Sequence, residues 1–338
     1  MKKISVIIPC YNVSRWIDRC LTSIIRQTMG MEALEVICID DASEDNTWER
    51  LQDWEQKFPE NIILIQQEVN RRQGTARNLG LQYASADWIA FVDADDWLEF
   101  DYFQRLYEPG IQYECEVVAC GSVRDFSDAS DEIGVDHRIF GKEYPLTVDS
   151  MEAREMLLGY KPLGIGPAAK IIKKDFLFEN MIFFPDDLTF EDHYWIPLLH
   201  FYATKMYILE DRLYHYFWNP YSTSLAENND YYMDCLTVQL IKWKDYHERG
   251  LMENYREVLE RDFLWYAIIC VETAILRCNK PSFSFFKMEA ELIKQYVPDM
   301  ERYVSAFPPK NQILLRILYA SSVSKDEFEQ IVKMIKSD

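Results

Sequence analysis

Asp93, Asp95 and Asp96 place three carboxylates in four residues, directly behind the apolar run 88–92. Like charges this close repel one another unless a cation or hydrogen-bond donors intervene. Hard oxygen ligands at a strand end suit Mg2+ or Mn2+, which take few protein carboxylates and complete their shell with phosphate oxygens. The plainer reading is an acidic turn in which Asp96 caps a helix. Three further groups follow apolar runs in the same way: Pro9-Cys10-Tyr11-Asn12, Asp40-Asp41-Ala42-Ser43 and Glu68-Val69-Asn70-Arg71. The four together offer one ligand an aromatic ring, carboxylates and basic side chains.

They can do so only if the chain brings their strands side by side. Residues 4–8, 34–39, 62–65 and 88–92 are short β-branched runs that read as buried strands. Between them, apolar residues recur at helical spacing after Ser14, which can cap the first helix, after Asp45 or Asn46, and over 75–83. This repeated strand–helix unit predicts an α/β domain, a mainly parallel sheet with helices on both faces. In such sheets ligands bind outside the carboxyl ends of the strands, which is where all four groups fall.

Beyond Asp96 the pattern predicts a helix at 100–107, a strand at 116–120 and a surface loop over 125–136. Helices follow at 149–159, 175–179 and 191–202, with a pair of short strands at 205–217. From residue 230 onward only helical spacing remains, with Pro281 and Pro308-Pro309 as breaks. The expected division is an α/β domain over 1–225, with halves at about 1–97 and about 98–225, then a helical domain or appendage over 226–338.

Composition narrows the function classes. The 338 residues carry a formal charge of −20, which argues against nucleic-acid partners and against electrostatic docking on an anionic membrane. The 8 cysteines lie scattered in apolar segments without a CxxC pair, as reduced core residues of a cytosolic protein do. No signal peptide or membrane span is expected, so the expected location is the cytoplasm, at most at the inner face of the membrane.

Five motifs in order resemble family 2 glycosyltransferases of the GT-A (nucleotide-diphospho-sugar transferase) fold. They are Ser5-Val6-Ile7-Ile8-Pro9-Cys10-Tyr11-Asn12, Asp40-Asp41-Ala42-Ser43-Glu44-Asp45-Asn46-Thr47, Gly74-Thr75-Ala76-Arg77-Asn78-Leu79-Gly80, Phe91-Val92-Asp93-Ala94-Asp95-Asp96 and Pro185-Asp186-Asp187-Leu188-Thr189-Phe190-Glu191-Asp192. Each alone is weak; the ordered set, over residues 4 to 225, is specific. Ala42 departs from the glycine that the family often has there.

The resemblance implies an inverting glycosyltransferase of bacterial surface-polysaccharide synthesis. It would take a nucleotide-sugar donor, UDP-linked by expectation, and a glycan or glycolipid acceptor, with Mn2+ or Mg2+ as cofactor. Tyr11 would lie against the base and Asp41 would accept a hydrogen bond from it. Asp93 would face the ribose and sugar, Asp95 would ligate the metal, and Arg77 would help position the donor. Pro9, Asn12, Asn70 and Ala94 would complete the donor side. Asp192 would be the general base, beside Glu191 as a positioning group, with Asp186 and Asp187 as weaker alternatives. His215 would complete the metal or diphosphate site.

Each role has a plainer counterpart. Asp41 can form a turn, Arg77 an ion pair, Asp192 a favourable charge at a helix start, and His215 a satisfied strand residue. His193 reads as a surface helix residue, and Trp195 and Trp218 as core aromatics rather than sugar-stacking ones. Gly164-Ile165-Gly166-Pro167 reads as an acceptor-side turn lined by Lys170. A homodimer and a peripheral membrane contact stay open as partners. A dinucleotide oxidoreductase is excluded, because no G-x-G-x-x-G follows the first strand, and a nucleotidyltransferase lacks its basic glycine-rich loop. The remaining alternative is a non-catalytic nucleotide-sugar or carbohydrate-binding protein of the same fold.

Overall fold

The computed structural model describes residues 1–126, 141–158, 166–219, 222, 231–320 and 324–337. The chain forms two compact units, Met1–Asn219 and Pro220–Asp338. The expected boundary at 225/226 lies outside the described residues, as do Gly164, Ile165, Thr223, Ser224 and residues 127–136 of the expected acidic loop.

In the first unit the strands are β1 (Ile4–Cys10), β2 (Leu34–Asp40), β3 (Ile62–Gln66), β4 (Trp88–Phe91), β5 (Trp97–Leu98), β6 (Val117–Asp125), β7 (Glu143–Thr147), β8 (Lys170–Lys173) and β9 (Lys205–Phe217). They form one sheet in the order β3-β2-β1-β4-β8-β6-β9-β5, with β7 added on β9. The block β3-β2-β1-β4 is parallel, as the strand–helix repeat requires. Strand β8 runs antiparallel between β4 and β6, β9 is parallel to β6, and β5 and β7 run antiparallel to β9. Thus β1, β2, β3, β4, β6 and β9 point one way, and their carboxyl ends share a rim.

The helices of this unit are α1 (Ile17–Ile25), α2 (Thr47–Lys57), α3 (Arg72–Tyr83), α4 (Tyr102–Gln112), α5 (Met151–Leu158), α6 (Lys174–Glu179) and α7 (Asp192–Tyr202). Alternation along β1 sorts them onto two faces. Ile4, Val6, Ile8 and Cys10 pack with Ile17, Cys20, Leu21 and Ile24 of α1, Leu51 of α2 and Phe103 and Leu106 of α4. Ile7 points the other way, against α3. A Cβ on Gly80 would lie 2.4 Å from Ile7 Cγ2 and 3.0 Å from Ile39 Cδ1, so only glycine lets α3 sit this close.

Three local expectations are corrected. Ser14 does not cap α1: its N–H donates to Asp45 Oδ2 at 3.2 Å, and the helix opens at Ile17. The pair of short strands at 205–217 is the single strand β9, because β6 pairs along its length with a bulge around Gly121. There a Cβ would meet Glu210 O at 2.9 Å. Asp96 caps no helix; it is buried and bonded to β9, as described below.

The second unit comprises α8 (Tyr232–Glu248), α9 (Met252–Arg277), α10 (Phe283–Tyr296), α11 (Glu301–Val304), α12 (Pro309–Tyr319) and α13 (Lys325–Lys336). Pro309 occupies the first turn of α12, where a missing N–H costs nothing. Its core buries Lys242, whose Nζ meets Asp262 Oδ2 at 2.8 Å, and the carboxyl of Glu289. Among the described residues no helix is long and apolar enough to cross a membrane.

Candidate functional site

The rim is built from the ends of β1, β2, β3 and β4. Tyr11, just past β1, is 41% exposed. Asn12 ties that end to the next loop: its N–H donates to Ser43 Oγ at 3.0 Å, and its Oδ1 accepts from Glu44 N–H at 2.8 Å. Asp41 is buried, with Oδ1 accepting from Gln67 Nε2 at 2.6 Å and from Arg71 N–H at 2.7 Å. Burial lifts its carboxyl above the usual range, against the pull of the Arg71 and Arg72 N–H groups. Asn70 closes the turn through Oδ1, which accepts from Arg72 N–H at 3.3 Å.

Left-handed backbone gathers here. Asn12 has φ 53°, Ala42 59°, Arg72 68°, Asp187 60° and Phe190 61°. Such strain outside glycine persists only where the surrounding structure imposes it. Ala42 therefore adopts a left-handed conformation that glycine takes without strain.

Helix α3 joins this rim to the second acidic run. Arg77 is 2% exposed; its Nη2 meets Asp93 Oδ1 at 2.8 Å and its Nη1 meets Glu191 Oε1 at 2.6 Å. One turn earlier, a Cβ on Gly74 would lie 2.9 Å from Glu191 Cγ and from Pro185 O. Asn78 exchanges two hydrogen bonds with the backbone of Phe184, at 2.8 and 3.0 Å. Asp187, named above as an alternative base, is taken by Arg71 in a two-point contact at 3.0 and 2.8 Å. Asp186 accepts from Asn78 Nδ2 at 3.3 Å.

Asp192 opens α7 and is half-buried, with Oδ1 accepting from His193 N–H at 2.9 Å. Burial pushes its carboxyl up to about 6, against the charge of Arg77. Burial likewise pushes Glu191 up to about 7, again opposed by Arg77. Lys170 is buried, donates to Gly166 O at 2.5 Å and Ala168 O at 2.9 Å, and is brought down to about 8 by burial. His193 corrects the surface expectation: it is buried, since α7 is covered nearly all round. Trp195 is a core residue, stacked on Phe184 at 4.8 Å.

In the acidic turn itself the three carboxylates part company. Asp93 is 32% exposed and paired with Arg77. Asp95 Oδ2 accepts from Asn219 Nδ2 at 2.8 Å; burial pushes this carboxyl up to about 6 while Asn219 pulls it down. Asp96 is buried, accepting from Tyr214 Oη at 2.5 Å and from Phe217 N–H at 2.8 Å. His215 stacks on Trp97 at 4.8 Å, and its Nε2 meets Glu99 Oε1 at 3.0 Å. Ala94 is buried between the two outer carboxylates of the motif, and Pro9 lies within β1.

Among the described residues no three His, Cys, Asp or Glu side chains are grouped to hold a metal by themselves. The residues present fit a cation of the Mg2+ or Mn2+ type that takes one or two carboxylates and finds its other oxygens on a diphosphate. Asp95, opposed by burial and not tied to β9 as Asp96 is, is a carboxylate whose charge a cation would relieve. Sequence reasoning did not single out Asn219, Gln67 or Tyr214. Each is one polar residue without a spacing signal, and its partner is remote in the chain.

The family model described as Glycosyl transferase family 2 matches residues 5–178. The chain is similar to the poly(ribitol-phosphate) beta-glucosyltransferase of Bacillus spizizenii, 30% identical over 216 residues, covering 63% of this chain and 32% of that protein. It is similar to the poly(ribitol-phosphate) beta-N-acetylglucosaminyltransferase TarS of Staphylococcus aureus, 25% identical over 278 residues, covering 78% of this chain and 44% of that protein. The chain spans about a third of the first curated relatives it matches, at 32%, 30% and 35% of their lengths. Among solved structures, S. aureus TarS 1-349 in complex with UDP-GlcNAc superposes with a TM-score of 0.70 at 19% identity, covering 99% of this chain and 91% of that one. The likeness shows the GT-A fold, helical C-terminal region included.

Proposed function

This chain belongs to glycosyl transferase family 2, and on that premise we propose that it transfers a sugar, with inversion, from a UDP-linked donor to a hydroxyl of a glycan or glycolipid. The setting we propose is bacterial surface-polysaccharide synthesis in the cytoplasm. The observation that carries this reading is Arg77, which binds Asp93 on the donor side and Glu191 on the acceptor side in one buried ion cluster. A protein that only held a nucleotide sugar would have no need to tie that site to the Glu191-Asp192 pair.

The roles we assign are those that the family resemblance implies, and the geometry supports them. Tyr11 offers its exposed ring to the base, and Asp41, whose Oδ1 is already engaged, offers Oδ2 to a base N–H. Asp93 faces the ribose and sugar, and Arg77 acts on the donor through Asp93. Asp95 would hold Mn2+ or Mg2+, which when bound neutralises charge on the leaving diphosphate. Asp192 receives the acceptor's hydroxyl proton as that oxygen attacks the anomeric carbon. The bond from that carbon to the diphosphate oxygen breaks, and its electron pair leaves with the nucleotide. The relatives named for poly(ribitol-phosphate) glycosylation and the UDP-GlcNAc held by TarS 1-349 support the substrate classes.

Asp192→Asn tests the reading. Transfer should fall by roughly 10²–10⁴-fold, the usual worth of a general base, while calorimetric binding of the UDP-sugar stays within about twofold of wild type. Unchanged transfer would remove Asp192 as the base.

A further inference from the structure

Resting on the metal-dependent reading above, we propose that Asn219 is a positioning residue that sets the Asp95 carboxylate for the divalent cation. The end of β9 pins the acidic turn one residue at a time. Tyr214 Oη accepts from Asp93 N–H at 3.2 Å and donates to Asp96 Oδ2 at 2.5 Å. Phe217 N–H donates to Asp96 Oδ1 at 2.8 Å. Asn219, buried and turned back by its own N–H to Phe217 O at 2.8 Å, then takes Asp95 Oδ2 at 2.8 Å.

Arg19 Nη2 also donates to the Asp95 carbonyl at 2.8 Å. Its guanidinium is stacked 3.9 Å from the Trp97 ring centre and 4.8 Å from that of Phe217. The Asp95 backbone is therefore held by Arg19 and one carboxylate oxygen by Asn219. Oδ1 is the oxygen left to meet a cation. An amide suits this task because it donates one hydrogen bond and brings no charge. A lysine or arginine there would hold the carboxylate equally well but would compete with the cation for its charge. Groups that orient a metal ligand in this way are typically worth about 10–100-fold in metal affinity.

The test is Mn2+ binding in the presence of UDP, followed by electron paramagnetic resonance on the whole chain, with melting measured in EDTA. Asn219→Ala and Asn219→Leu should each weaken Mn2+ at least about tenfold. Asn219→Leu keeps the side-chain volume without the donor, so a loss shared by both is not a packing effect. Melting without metal should stay within about 4 °C of wild type, the cost of one hydrogen bond in a domain of this size. Asn219→Gln, which keeps the amide, should recover part of the affinity. If both donor-free variants bind Mn2+ like wild type while Asp95→Ala does not, the inference is overturned and the metal reading stands. If wild type itself binds no Mn2+ with UDP, the metal reading falls and takes the inference with it.

Discussion

Arg77 illustrates how one side chain can be asked to serve both halves of a site. With its two Nη groups committed to Asp93 and Glu191, it is buried and ionised, and burial is offset by the two carboxylates that hold it above its ordinary range. Removing one member of such a cluster strands the others, at a cost of about 3–5 kcal/mol. Arg77→Met should therefore lower both melting temperature and transfer. Arg77→Lys should recover part of the stability but little of the transfer, because an ammonium cannot span both partners in a fixed plane. Thermal melts alongside initial rates check both. Asp192 sets a pH limit: the base acts ionised and is lifted by burial to about 6, so kcat/KM should fall as pH drops through about 6. A rate independent of pH between about 5 and 8 would contradict the assignment. At this scale the sequence displayed Asp93, Asp95, Glu191, Asp192 and Arg77 because each sits in a motif. Asn219 was not legible, since its partner lies 124 residues away and Trp218-Asn219-Pro220 carries no spacing that marks a site.

Helix α3 is the element on which the site depends. One face lies on β1 and β2 through Gly80, and its first turn lies on the acidic run through Gly74. The two glycines predict different defects. Gly80→Ala pushes a Cβ into Ile7 and Ile39 and should cost about 1–3 kcal/mol of stability, with kcat in the surviving folded protein unchanged. Gly74→Ala meets Glu191 and Pro185 O, so transfer should fall by more than any loss of stability accounts for. Melting curves and steady-state rates on both variants decide it; equal kcat in the two would sever α3 from the chemistry. The parallel strands were legible because buried β-branched runs have few other uses. The start of α1 and the continuity of β9 were not, because both turn on remote groups. Asp45 takes the Ser14 N–H, and the Gly121 bulge lets β9 run on past Glu210 and Asp211.

For the molecule as a whole, the strand–helix alternation and the later helical spacing made the α/β unit and the helical region readable. What spacing did not reveal was which polar groups the helical unit buries. Glu289 is buried beside Gln239 and Cys270, and burial pushes its carboxyl up to about 8. Its folded-state pKa lies above the unfolded one, so its contribution is fully present below the ordinary glutamate range and is lost as pH rises toward about 8. Stability of that unit should decline over this window by on the order of 5 kcal/mol, and Glu289→Gln should flatten the decline; an identical slope in the variant would rule Glu289 out. The central claim, sugar transfer from a UDP-linked donor, is tested most directly by nucleotide release. The chain is incubated with UDP-, GDP- and dTDP-sugars, with and without Mn2+, and the free nucleoside diphosphate is measured. Mn2+-dependent release of UDP from one or a few UDP-sugars, abolished by Asp192→Asn, is the predicted result. No release from any donor, or release that survives Asp192→Asn, would contradict it.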